Sequence, residues 1–188
     1  MIFPVTINVF GTAVHPHLFF EAIAYVCALL LYFIRRQRKA ELRTAAEAAT
    51  HIWLLVGAVF GALGGSHLLA LLEPGTFGAG RTIVGALIGG WVGAELTKRL
   101  MGLEGSSGEA WVFPLIVGMA IGRLGCFYSG LEDDTHGIAT TLWWGIDFGD
   151  GIPRHPTQLY EAIFLCLGAF AVLKVEGNRA SHPGRLFR

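Results

Sequence analysis

Arg154-His155-Pro156-Thr157-Gln158-Leu159-Tyr160-Glu161 runs straight into Ala162-Ile163-Phe164-Leu165-Cys166-Leu167-Gly168-Ala169-Phe170-Ala171-Val172-Leu173. The second half belongs in lipid. The first half gathers a guanidinium, an imidazole, an amide, a phenol and a carboxylate at its mouth. Ionisable groups are costly at a membrane helix, so their default reading there is a functional site. The junction predicts a membrane helix with chemistry at its start.

The rest of the chain agrees with a membrane setting. Of its 188 residues 53% are hydrophobic and 15% charged, against roughly 25% charged in soluble domains. The formal net charge is zero, which excludes the basic face of a nucleic-acid binder. Five apolar segments, at 17–34, 51–72, 83–100, 110–128 and 156–174, approach the span length of about 17–25 residues. The third is the weakest, because its clean apolar part stops near Glu95. The expected fold is an all-α integral membrane protein, one transmembrane domain over 1–188, with about five spans and an outer loop at 129–155. Residues 1–14 are too short to span and lack the positive start of a signal peptide. They read as an ordered or interfacial lead-in.

Basic residues orient the chain. Arg35, Arg36, Arg38, Lys39 and Arg43 follow the first span, Lys98 and Arg99 end the third, and Lys174, Arg179, Arg185 and Arg188 follow the fifth. With alternating spans all fall on one face, which is then cytoplasmic. The amino terminus is expected outside and the carboxyl terminus inside. Arg81, Arg123 and Arg154 remain, each at the outer end of a span. Outer loops tolerate a few arginines, but a planar guanidinium also binds phosphate bidentately.

Glycines recur at helical spacing: Gly57, Gly61, Gly64 and Gly65, then Gly85, Gly89, Gly90 and Gly93, then Gly118, Gly122 and Gly125. Small residues at this spacing let membrane helices approach closely. An echo also links His15-Pro16-His17-Leu18-Phe19-Phe20-Glu21 with His155-Pro156-Thr157-Gln158-Leu159-Tyr160-Glu161. It suits two parallel, related helices that flank one site, or common helix-start chemistry. The loop 129–155 holds Glu132, Asp133, Asp134, Asp147 and Asp150, with Trp143 and Trp144 suited to a membrane interface. Its acidic run lacks an EF-hand pattern. Cys27, Cys126 and Cys166 lie far apart, with no disulfide framework and no metal-ligand spacing.

Gly122-Arg123-Leu124-Gly125-Cys126-Phe127, followed by Arg154–Glu161, resembles the prolipoprotein diacylglyceryl transferase family. Gly80-Arg81-Thr82-Ile83-Val84-Gly85-Ala86-Leu87-Ile88-Gly89-Gly90 looks like that family's glycine-rich helix. The resemblance runs from about residue 15 to 174. It implies a multi-pass enzyme of the bacterial inner membrane that needs no metal or soluble cofactor. Its partners would be phosphatidylglycerol and a prolipoprotein signal peptide with a lipobox cysteine. The diacylglyceryl group would move to the cysteine thiol as a thioether, with release of glycerol 1-phosphate. Arg123 matches the family's phosphate-binding arginine. His155 and Glu161 are the candidate bases, so Arg123, His155 and Glu161 form the expected catalytic set. Arg81, Gly122, Gly125, Glu132, Arg154, Gln158 and Tyr160 are the expected substrate-binding set.

The sequence departs from the family at several points. Cys126 and Ser129 stand where the family has asparagines, and Val84 stands near the place of a family histidine. Family members also continue through further spans, so the chain reads either as a truncated member or as a shorter relative. The alternative function is an anionic-phospholipid-binding membrane protein of the same fold. A small transporter is a third reading, suggested by the glycine-rich helices.

Overall fold

The computed structural model describes residues 3–38, 44–72, 82–103 and 109–181. Lys39, Arg43, Gly80, Arg81, Arg185 and Arg188 of the sequence argument lie outside them. Five α-helices dominate: α1 (Pro16–Arg38), α2 (Ala45–Ala70), α3 (Ile83–Leu100), α4 (Glu109–Ser129) and α5 (Thr157–Ser181). Four of the five, all but α3, are long and apolar enough to cross a membrane. Helix α3 occupies the expected range but carries Glu95, Lys98 and Arg99 in its last turns. The chain forms two compact units, residues 35–108 and the remainder.

Within residues 35–108, α2 and α3 form an antiparallel hairpin built on glycine. Gly57 faces Gly93, Gly61 faces Gly89, and Gly65 faces Gly85. A Cβ on Gly61 would land on the Gly89 carbonyl oxygen and lie 2.9 Å from the Gly93 Cα. Lipid offers no hydrophobic drive between helices, so close backbone packing supplies the attraction. Thr82 caps α3 by accepting a hydrogen bond from the Gly85 N–H at 3.0 Å.

The other unit holds α1, α4, α5 and the loop between α4 and α5. Helix α1 runs antiparallel to α4. Gly118 of α4 meets Ala24 and Ala28, and Gly125 meets His17 and Phe20. At the far end the buried Tyr32 ring stacks on Trp111 with centroids 3.9 Å apart. The lead-in is ordered: β1 (Ile7–Val9) and β2 (Thr12–Val14) pair as an antiparallel hairpin. Phe10 and Gly11 turn it with φ of 48° and 83°, the double positive φ that suits the strand twist. The Val5 N–H donates to the Tyr128 carbonyl at 3.0 Å and ties the lead-in to the end of α4.

The loop after α4 starts with a 3-10 turn, Gly130–Asp133. A short antiparallel pair follows, β3 (Ile146–Asp147) and β4 (Pro153–Arg154). Its anchor is Phe148, buried against Phe3 and Phe127 in edge-on ring contacts. The Asp147 carboxylate accepts the N–H groups of Gly149 and Gly151 at 2.8 and 3.0 Å, which closes the turn. The loop is thus a folded cap seated on the end of α4.

Candidate functional site

Helix α4 carries Arg123 and Cys126 one turn apart near its end, and neighbouring helices take one each. Arg123 Nε lies 2.5 Å from Glu161 Oε2 of α5. Cys126 Sγ lies 4.0 Å from His17 Nδ1 of α1. The same imidazole nitrogen lies 2.8 Å from Asp133 Oδ1 of the 3-10 turn. The two echoed segments therefore flank the end of α4 from two sides, both antiparallel to it. Proline accounts for part of the likeness. Pro16 is the first residue of α1, where its missing N–H costs nothing. Pro156 directly precedes α5 and accepts the Tyr160 N–H at 3.2 Å.

The Arg123–Glu161 contact is charge-assisted, yet the carboxylate is half exposed. Exposed ion pairs contribute only about 0–1 kcal/mol to stability. Orientation is the larger consequence: the guanidinium is held at Nε by Glu161 and also contacts the Cys126 thiol, and its five donors exceed what these two partners use.

Beside α5, three groups share a chain of hydrogen bonds. The Trp144 indole N–H donates to the Tyr160 hydroxyl at 2.7 Å. The Tyr160 hydroxyl lies 3.1 Å from His155 Nδ1. Indole N–H only donates, so the phenol oxygen accepts from Trp144 and its own proton is left for Nδ1. This pattern assigns the neutral His155 ring its proton at Nε2, an assignment made from the network. His155 thereby presents a donor.

Arg154 is held by Asp150 at 2.6 Å and by the Ile152 carbonyl at 3.2 Å, both from the loop. The hydrogen bond from Arg154 holds the Asp150 carboxyl below its ordinary range, and the same bond raises the guanidinium. Gln158 is fully buried, and neither of its amide atoms has a hydrogen-bond partner among the described residues. Such a group costs about 1–3 kcal/mol when left unpaired. It sits three positions before Glu161, on the same side of α5.

The two glycines of the α4 motif differ. A Cβ on Gly125 would press to 2.9 Å from the Phe20 Cβ, so this glycine serves contact with α1. Among the described residues nothing lies within 4 Å of a Cβ on Gly122, which leaves open space next to Arg123. Glu132 Oε2 lies 3.0 Å from His15 Nε2. Arg81 lies outside the described residues.

The sequence reading left out His17, Asp133, Asp150 and Trp144. His17 had a signal in the echo, where its place corresponds to Thr157. Trp144 was marked only as an interface residue, and Asp133 and Asp150 only as members of the loop's acidic run.

The family profile of prolipoprotein diacylglyceryl transferase matches residues 4–187. The chain belongs to this family. A phosphatidylglycerol–prolipoprotein diacylglyceryl transferase of Campylobacter jejuni is 26% identical over 202 aligned residues, covering 97% of this chain and 73% of that protein. A Clostridium perfringens protein named phosphatidylglycerol–prolipoprotein diacylglyceryl transferase 2 is 29% identical over 197, covering 95% and 73%. A phosphatidylglycerol–prolipoprotein diacylglyceryl transferase of Geobacter sulfurreducens is 42% identical over 73 residues, or 38% of this chain and 27% of that one. In this diacylglyceryl transferase family member the α4 arginine and the α5 carboxylate meet directly. The chain is an all-α integral membrane protein of a transferase family.

Proposed function

We propose that this chain is a phosphatidylglycerol–prolipoprotein diacylglyceryl transferase of the bacterial plasma membrane, with its amino terminus outside and its carboxyl terminus cytoplasmic. The observation that carries the reading is the Arg123–Glu161 pair at 2.5 Å, beside the open space at Gly122. In this reading the phosphate of the lipid head group binds the guanidinium and competes with Glu161 for it. The released carboxylate takes the proton of the lipobox thiol, because the thiolate is the nucleophile. A sulfur–carbon bond forms at the glyceryl carbon that carries the phosphate. The carbon–oxygen bond to phosphate breaks, and glycerol 1-phosphate leaves with the electron pair. Arg123 stabilises the charge that develops on the leaving group. His155 donates through Nε2–H, Tyr160 holds that tautomer, and the unpaired amide of Gln158 hydrogen-bonds the head group. Arg154, Gly122, Gly125 and Glu132 line or support the lipid side of the site.

The test is the full chain in proteoliposomes containing phosphatidylglycerol, with a lipobox peptide as acceptor. Thioether-linked peptide and glycerol 1-phosphate appear together with the unaltered chain, and both disappear with Arg123→Ala or His155→Ala. Full activity in both variants would overturn the reading. Phosphatidylglycerol binding without thioether product would select the alternative, a lipid-binding protein of the same fold.

A further inference from the structure

Three donor atoms lie together at the end of α4, next to Arg123, whose guanidinium contacts the Cys126 thiol, and the reaction proposed above assigns none of them a role. His17 Nδ1, Cys126 Sγ and Asp133 Oδ1 come from α1, α4 and the 3-10 turn, and these ligand atoms all lie within 4.8 Å of one another. Their residues are up to 116 positions apart in the chain, between His17 and Asp133. A Cys–His–Asp proton relay is the first chemistry to weigh. In such a relay the nucleophile and the carboxylate sit on opposite ring nitrogens. Here Nδ1 faces both the thiol, at 4.0 Å, and the carboxylate, at 2.8 Å. The ring cannot pass a proton between them through its two nitrogens. A nitrogen, a sulfur and an oxygen donor within 4.8 Å of one another are instead within reach of a single metal ion.

We infer that His17, Cys126 and Asp133 bind a divalent transition-metal ion of borderline softness, of which Zn2+ is the type. The thiolate disfavours magnesium and calcium, while the nitrogen and oxygen donors suit zinc and its neighbours. Zinc bonds of about 2.0–2.3 Å put tetrahedral donors roughly 3.3–3.6 Å apart. The observed 2.8 and 4.0 Å bracket that range and the third pair lies within 4.8 Å, so shifts of up to about 1 Å close the site.

Outer contacts orient two of the ligands. The Thr135 hydroxyl donates to Asp133 Oδ2 at 2.6 Å and leaves Oδ1 for the metal. Glu21 Oε2 lies 3.9 Å from His17 Nε2, and the Tyr25 hydroxyl steadies that carboxylate at 2.5 Å. Carboxylate partners of this kind fix the ring of a metal-binding histidine. Cys126 is buried and His17 is partly exposed. Binding displaces the thiol proton to solvent. The inference does not depend on the transferase reading.

The experiment uses the full chain in detergent, stripped with chelator and titrated with Co2+ as the probe. One thiolate-to-cobalt charge-transfer band per chain is expected, bleached when Zn2+ displaces the cobalt. Cys126→Ser, which keeps the side-chain shape, loses the band at unchanged helical circular dichroism. Glu21→Gln retains the band and weakens Co2+ binding about tenfold to a hundredfold. The double variant Cys27→Ser with Cys166→Ser retains it at full strength. A folded wild-type chain that gives no such band, or a band that survives Cys126→Ser, would overturn the assignment.

Discussion

Arg123 Nε of α4 and Glu161 Oε2 of α5 lie 2.5 Å apart, so the cation expected to hold phosphate is already held by an anion of its own protein. The pair joins the two helices near the end of α4 and the start of α5. A ligand phosphate must therefore outcompete a carboxylate or share the guanidinium with it.

That competition predicts how variants behave. Arg123→Ala lowers transfer by about 10²–10³-fold, the cost of losing one preorganised charge stabiliser. Arg123→Lys recovers little, because an ammonium lacks the planar fork. Glu161→Gln keeps the helix contact, tightens lipid binding and lowers kcat, since the competing anion and the base are lost together. Steady-state kinetics with separated kcat and KM check this, and a double-mutant cycle tests the coupling of the two residues.

Tyr160→Phe removes the only group placed between the Trp144 indole and His155 Nδ1 among the described contacts. The His155 tautomer mixture shifts toward the Nδ1–H form, and kcat falls more than KM changes. Nitrogen-15 chemical shifts of His155 in the variant read the tautomer directly.

Helix packing gives a third prediction with a built-in control. Gly61→Ala puts a methyl group onto the Gly89 carbonyl and destabilises the α2–α3 hairpin by about 1–3 kcal/mol. Gly64→Ala meets nothing within 4 Å among the described residues and stabilises by up to about 1 kcal/mol through helix propensity. Denaturation in mixed micelles orders the three proteins as Gly64→Ala, unaltered chain, Gly61→Ala.

The loop carries a pH dependence. Its hydrogen bond to Arg154 depresses the Asp150 carboxyl in the folded chain. A depressed folded value means the contribution is fully present above the ordinary aspartate value of about 3.9 and is lost as pH falls through the lowered one. Hydrogen exchange of the amides around β3 and β4 quickens as pH falls below that range, after correction for intrinsic rates. Asp150→Asn exchanges faster at neutral pH and loses the dependence.

Sequence alone carried much of this molecule. Hydrophobic length located five helices, and the apolar run alone put the start of the third at residue 83, where α3 begins. Arg123, His155, Tyr160 and Glu161 were legible because lipid makes polar side chains at a helix mouth conspicuous. Glycine spacing foretold close packing, but not which glycine served which neighbour. Gly125 meets α1, whereas Gly122 faces open space, and both look alike in a helical pattern.

Pairing was beyond the sequence. Whether Arg123 meets Glu161 or a loop carboxylate depends on which helices sit side by side, and composition is silent on that. His17, Cys126 and Asp133 make the same point more sharply: local spacing reveals a metal site only when its ligands share one element. Here each comes from a different element. Helix existence follows from the cost of burying backbone in lipid, which the chain's own apolar runs determine. The chemistry at the helix ends follows from distances between remote residues, and only the tertiary structure decides those.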